Sequence, residues 1–198
     1  MGEFALSDNQ KFMEKQIRNS MRIVKAFSDD SELSYTALQN ALLSLVLLPY
    51  ESAKKKDGTK VWQGSYSDVH EAIGFDEITF SPISECKNGV VRFSNRTQYS
   101  FIKKFRNAIA HQNIDIKVKD QKIEAIEFHN SFPVKCTSCP NKKCEARKLK
   151  RSNGGIEDFR VSFTSKQLHD FAFYVAASYS RSITGKGFEE RDNNNGQG

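Results

Sequence analysis

The chain has 198 residues, 38% of them hydrophobic and 27% charged, with 30 Lys and Arg against 24 Asp and Glu. That length and composition provide for one hydrophobic core and exclude a fibrous or low-complexity protein, while a formal net charge of +6 suits a polyanionic partner. The longest apolar run, Ala41 to Leu48, contains Ser44, stops at Pro49 and falls far short of the roughly 18 residues of a membrane span; Met1-Gly2-Glu3-Phe4 leads into polar residues unlike a secretion signal, so a cytoplasmic protein is expected.

Met13, Ile17, Met21, Val24 and Phe27 recur at three- and four-residue steps, which predicts a helix from about Asn9 to Phe27. Ser28-Asp29-Asp30-Ser31 then breaks and recaps the chain. A second helix over Glu32 to Leu48 carries Leu38, Leu42, Leu45 and Val46 on one side and Leu43 and Leu47 on another. So wide an apolar surface needs cover on two sides, either as the centre of a bundle or as half of a homodimer interface. Tyr50 to Ser67 reads as a charged, turn-rich loop, Asp68 to Ile73 as a short helix, and Ile78 and Phe80 as a short extended piece before Pro82.

A further helix is predicted to begin near Ser94 or Asn95, either of which can cap it, and to run through Phe101 to His111. On an ideal helix Phe101, Ile102, Phe105, Ala108 and Ile109 gather into one apolar stripe, with Lys103, Lys104, Asn107 and His111 on the other side and Arg106 at the stripe's edge. Arg106 and His111 are separated by a rise of about 7.5 Å, close enough to flank one bound group. A guanidinium fork holds non-bridging phosphate oxygens, and an imidazole transfers a proton at neutral pH. Spacing alone does not distinguish this arrangement from a solvated helix face.

After His111 the period changes to two. Ile114, Ile116 and Val118 alternate with Asp115, Lys117 and Lys119, Asp120-Gln121 makes a turn, Ile126 and Phe128 return, and Phe159, Val161 and Phe163 mark a third strand of a small antiparallel sheet. Thr164-Ser165-Lys166-Gln167 is a capping-box pattern that opens a last helix with Leu168, Phe171, Val175 and Tyr179 on its inner face. From Gly185 to Gly198 no hydrophobic period survives, and a disordered tail is expected.

Between the second and third strands, Cys136, Cys139 and Cys144 have the spacing C-x-x-C-x-x-x-x-C, and a structural Zn²⁺ is one reading of it, completed by Cys86 or His129. The plain alternative is a loop of reduced thiols. The same segment, about residues 130–154, carries Lys135, Lys142, Lys143, Arg147, Lys148, Lys150 and Arg151 against the single acid Glu145. Lys142, Lys143, Lys148 and Arg151, with Lys103 and Lys104 of the helix, are candidates for gripping an RNA backbone, although a solvated loop fits as well. His70 and His169 are isolated on predicted helices, with no ligand partner three or four residues on.

Arg106-Asn107-Ala108-Ile109-Ala110-His111 resembles the Arg-x-x-x-x-His signature, with a polar residue directly after the Arg, of the HEPN superfamily of helical ribonucleases. The order of elements from about residue 8 to residue 182 is similar to that of the HEPN subfamily found on bacterial plasmids and in defence or toxin loci. The resemblance implies a mainly α, α+β fold, an antiparallel helical bundle with a small antiparallel β-sheet, with the motif at the start or middle of a late helix; the Cys-containing loop is extra to the family's pattern, and one domain is expected over residues 1–184. It further implies a metal-independent endoribonuclease acting as a homodimer whose two motifs face one groove. In that mechanism His111 is general base or acid, Arg106 holds the scissile phosphate and Asn107 orients either, which yields a cyclic 2′,3′-phosphate and spares DNA. The implied partners are RNA, a second copy of the chain, and an antitoxin or other defence-system component, and no cofactor serves catalysis; the structural zinc is an expectation from the Cys spacing alone. Two other readings stand beside it: a noncatalytic HEPN module binding RNA or protein, and a zinc-stabilised nucleic-acid-binding regulator built around the Cys loop.

Overall fold

The computed structural model describes residues 7–26, 31–54, 60–87, 90–120, 122–132, 151–152 and 155–184. In chain order these form α1 (Asp8–Ala26), α2 (Ser31–Leu42), a π-helical turn (Leu43–Leu47), α3 (Leu48–Lys54), α4 (Tyr66–Ile73), β1 (Asp76–Phe80), β2 (Ile83–Lys87), β3 (Val90–Phe93), α5 (Gln98–Ala110), β4 (Ile114–Lys119), β5 (Lys122–Phe132), β6 (Arg151–Ser152), β7 (Gly155–Phe163) and α6 (Ser165–Thr184). The fold is mainly helical with a small antiparallel sheet, as the sequence implies. The chain divides into two compact units, Met1–Gln63 with Leu168–Gly198, and Gly64–Gln167.

In the first unit, Ile17 and Val24 of α1, Leu38 and Leu42 of α2, and Leu45 and Val46 of the π turn are buried, as are Leu168, Phe171, Ala172, Val175 and Tyr179 along one face of α6. Tyr179 donates its hydroxyl to Ser52 Oγ at 2.6 Å, and Tyr50 stacks on Trp62 with ring centres 6.3 Å apart. The loop expected from Tyr50 is instead helical as far as Lys54. Pro49 is accommodated because the Leu48 N–H reaches back five residues to the Leu43 carbonyl, a π turn that restarts the helix. Pro49 then stands in the first turn of α3, where its missing N–H costs no helical hydrogen bond. The first apolar side of the leucine-rich helix is buried, and Leu43 is 52% exposed on the second.

The second unit is built on a five-stranded sheet of order β1-β7-β5-β4, with β6 paired to β7, and a separate β2–β3 hairpin; every pairing is antiparallel. The apolar stripe of α5 explains its place against β5: Phe101, Ile102, Phe105 and Ala108 are all 0% exposed. Aromatic rings fill this core, with Phe105 4.4 Å from Phe128, Phe75 4.7 Å from Phe163 and Phe101 5.4 Å from Phe159, ring centre to ring centre. α4 begins at a capping box between Ser65 and Asp68 and ends at Gly74, whose φ of 72° is the left-handed conformation that glycine adopts freely.

α5 starts later than the sequence suggested, after Thr97. Thr97 Oγ1 accepts from the Ser100 N–H at 3.1 Å and Ser100 Oγ accepts from the Thr97 N–H at 2.9 Å. Ser94 and Asn95 lie outside the helix because the Ser94 N–H donates to the Pro82 carbonyl at 2.8 Å, continuing the β2–β3 pairing, while Thr97 bridges to Ser65. On the sheet face away from the aromatic core, Arg160 binds Glu127 at 2.8 Å, Glu157 at 2.9 Å and Asp115 at 3.2 Å. These carboxylates, Glu157 foremost, hold its guanidinium above its ordinary pKa despite partial burial. The expected tail, residues 185–198, and the basic cysteine-bearing segment, residues 133–150, lie outside the described residues.

Candidate functional site

The end of α5 carries the Arg-x-x-x-x-His residues. The stripe that anchors the helix leaves Arg106 and Asn107 half-buried beside it, and Arg106 Nη1 donates to Asn107 Oδ1 at 3.0 Å. His111 is the exposed C-cap, with φ −102° and ψ 6°, and its own N–H donates to the Asn107 carbonyl at 3.0 Å. The next two residues close a Schellman motif: the Gln112 N–H donates to Ile109 O at 3.1 Å and the Asn113 N–H to Ala108 O at 2.9 Å. Gln112 takes the left-handed position at φ 56° that glycine more often fills. The motif therefore ends its helix, where the change of period after His111 puts the end, whereas the family resemblance implied its start or middle. The cause is the sharp turn at Gln112, after which the Asn113 carbonyl accepts from the His129 N–H and β4 begins.

Along α5, from its N-terminal cap Thr97 to Asn107, lies a cavity of about 540 Å³, walled by Tyr99, Lys103, Lys104 and Asn107 of α5 and by Asn130 and Phe132 of β5, among others. Asn107 is the link between cavity and motif, since it lines the first and accepts from Arg106 of the second. Neither Arg106 nor His111 lines the cavity.

Lys104, expected from the sequence as an RNA contact, is partly buried. It pairs with Asp158, which is 0% exposed and also accepts the Ile83 N–H at 3.1 Å, while the Lys104 carbonyl accepts from Asn130 Nδ2. Burial raises the pKa of the Asp158 carboxyl above its ordinary value, with Lys104 and the Ile83 N–H pulling it back. Lys103, one residue earlier, is exposed. Sequence reasoning missed this pair because 54 residues separate its members and Asp158 sits unflagged between strand hydrophobes.

Of the other candidates, Arg151 is in β6 opposite Ile156 and Cys86 in β2 opposite Val91, whereas Lys142, Lys143, Lys148, Cys136, Cys139 and Cys144 lie outside the described residues. His129 is opposite Arg160 in the sheet, with Nε2 3.6 Å from Asp115 Oδ2. Among the described residues no three His, Cys, Asp or Glu side chains are grouped so as to hold a metal ion. His70 packs edge-on against Phe75 at 5.1 Å and His169 stacks on Phe173 at 4.3 Å, which gives both a packing role. Among the described residues no helix is long and apolar enough to cross a membrane.

A family model described as HEPN pEK499 p136 matches residues 1–185. No curated protein and no solved structure matches the chain.

Proposed function

The chain belongs to the HEPN pEK499 p136 family, and since HEPN domains are commonly ribonucleases, we propose that it is a metal-independent endoribonuclease. The observation that carries this reading is the joining of Arg106 to Asn107 on the last turns of α5, with His111 exposed at the cap of the same helix. Arg106 binds the scissile phosphate and offsets the charge that grows on it in the transition state. Asn107 fixes the guanidinium by accepting from Nη1 and leaves its amide to the phosphate or the imidazole. His111 takes the proton of the ribose 2′-hydroxyl, or gives one to the departing 5′-oxygen; the new 2′-O–P bond forms as the P–O5′ bond breaks, leaving a cyclic 2′,3′-phosphate. The neighbouring cavity has the volume of a nucleotide-sized ligand pocket, and Lys103 at its rim supplies a cation. The biological role that fits is toxin-like or antiviral cleavage of RNA.

Labelled RNA incubated with the purified chain in EDTA tests the proposal. Cleavage should persist, produce cyclic-phosphate ends, spare a DNA of the same sequence, and fall at least about 100-fold in both His111→Ala and Arg106→Ala. Undiminished cleavage in His111→Ala overturns the mechanism. If no RNA is cut but RNA is bound, the chain is a noncatalytic binding module.

A further inference from the structure

The β5 wall of the cavity along α5 holds an acceptor that the fold leaves unused. Asn130 is 7% exposed and lines the cavity. Its backbone is held opposite Phe159 in the sheet, and its Nδ2 donates to the Lys104 carbonyl of α5, so the side chain is fixed at both ends. With the amide nitrogen engaged, Oδ1 is left over, and it accepts from no donor among the described residues. A carboxamide this deeply buried costs free energy while its oxygen is unsatisfied, so the cavity calls for a ligand that brings an N–H.

The α5 wall supplies donors. Lys103 is exposed and has no ion pair among the described residues, whereas the ammonium of Lys104 is taken by Asp158. Asn107 also lines the cavity, one turn and about 6 Å further along the helix, and His111 follows at the same four-residue step. Lys103, Asn107 and His111 thus share one helix face, with the cavity toward one end and the Arg-x-x-x-x-His residues at the other. Phe132, half-buried on the β5 wall, adds an aromatic ring.

We propose that this cavity is a guanine pocket, taking the base of a nucleotide that adjoins the scissile phosphate. Every RNA base brings an N–H and an acceptor, but only guanine sorts them onto separate edges. Its N1–H and 2-amino group stand side by side on the Watson–Crick edge, and its O6 and N7 stand side by side on the other. The two donors suit one fixed oxygen, whose two lone pairs accept both, and the two acceptors suit an ammonium that meets them together. Adenine and cytosine set an amino group beside the acceptor that Lys103 would approach, and uracil flanks its one N–H with carbonyls that would face the Asn130 oxygen. Phe132 supplies the ring on which a base splayed from a single strand stacks. The place of this base beside the cut rests on the ribonuclease reading, whereas the chemistry of the pocket does not.

The probes are the 3′,5′-bisphosphates of the four nucleosides, titrated calorimetrically into the full chain, a measurement that needs no cleavage. The guanosine compound should bind at least about 10-fold tighter than the other three. Its 1-methyl form loses the N–H that faces Asn130, and its 7-deaza form loses an acceptor that faces Lys103; each should forfeit most of that advantage. In Lys103→Met the guanosine compound should bind no better than its 7-deaza form, with the unfolding midpoint unchanged. Four equal affinities in the parent overturn the proposal. So does a Lys103→Met loss shared equally by all four nucleotides, since the lysine then attracts phosphate alone. Mapping the cuts in RNA separates this pocket from the reading it extends. Cleavage with no preference for guanine beside the cut overturns the pocket and leaves the ribonuclease standing, whereas selective guanosine binding with no RNA cut supports the pocket and removes the ribonuclease.

Discussion

Lys104 and Asp158 form an ion pair beneath the cavity beside α5, joining that helix to β7 through a carboxylate that is 0% exposed. One oxygen of Asp158 holds Lys104 and the Ile83 N–H, while the other has no hydrogen-bond partner among the described residues. The arrangement specifies where α5 sits more than it stabilises the fold, because desolvating both groups offsets much of their attraction. Asp158→Ala should cost about 3–5 kcal/mol in denaturant unfolding by stranding the Lys104 ammonium. Lys104→Met combined with Asp158→Leu should recover most of that loss.

The same pair has a pH signature. Burial raises the Asp158 carboxyl above the ordinary 3.8, so between that value and its folded pKa the folded chain holds a proton that the unfolded chain has released. This group's contribution to stability is thus fully present at low pH and is lost as pH rises through the window. Unfolding curves of the parent and of Asp158→Asn should diverge in slope there, and parallel curves would falsify the burial argument.

Gln112 holds φ 56° at the position that closes the Schellman motif, and that conformation strains a residue with a Cβ. Gln112→Gly should raise stability by about 0.5–1 kcal/mol, read as a shift in denaturant midpoint, whereas Gln112→Ala should give no gain. The residue is exposed.

What could be read from the sequence follows from which signals are local. The three- and four-residue steps located α1, α5 and α6, and the period-two alternations located β4, β5 and β7, because burial on one face is written into consecutive residues. Pro49 misled, since the π turn that accommodates it depends on carbonyls one turn back and leaves no compositional mark. The β2–β3 hairpin lacks a clean alternation, and its exposed Val90 and Phe93 give no apolar face to detect. At the site, the six residues from Arg106 to His111 were legible as a motif and the change to period two after His111 marked the end of their helix, but the Schellman turn that closes it was not, because Gln112 fills a position that only a glycine would have announced.

The spacing of Cys136, Cys139 and Cys144 leads us to expect one structural zinc, completed by Cys86 or His129 and independent of catalysis, with reduced, unliganded thiols as the alternative. Metal analysis of the purified chain should return about one zinc per chain, lost in Cys139→Ser. Unchanged zinc in that variant eliminates Cys139 as a ligand. His129→Gln separates the two completions, since retained zinc points to Cys86 and lost zinc to His129. Chelation should lower the unfolding midpoint without abolishing RNA cleavage.

Asn107 offers the sharpest test of how the proposed motif works, because it can be altered while the Arg106 guanidinium and the His111 imidazole are themselves retained. Its Oδ1 accepts from Arg106 Nη1 at 3.0 Å, a hydrogen bond to a charged donor worth about 1.5–3 kcal/mol. Asn107→Ala should therefore lower kcat for RNA by about 10- to 100-fold by freeing the guanidinium, with KM little changed. Asn107→Asp keeps the acceptor but places an anion beside the phosphate site. It should hold Arg106 in place and raise KM, with a penalty that grows as salt is lowered and screening weakens. If both variants instead lose activity equally in kcat and KM while their unfolding midpoints fall together, Asn107 serves the fold of α5 and has no part in positioning Arg106.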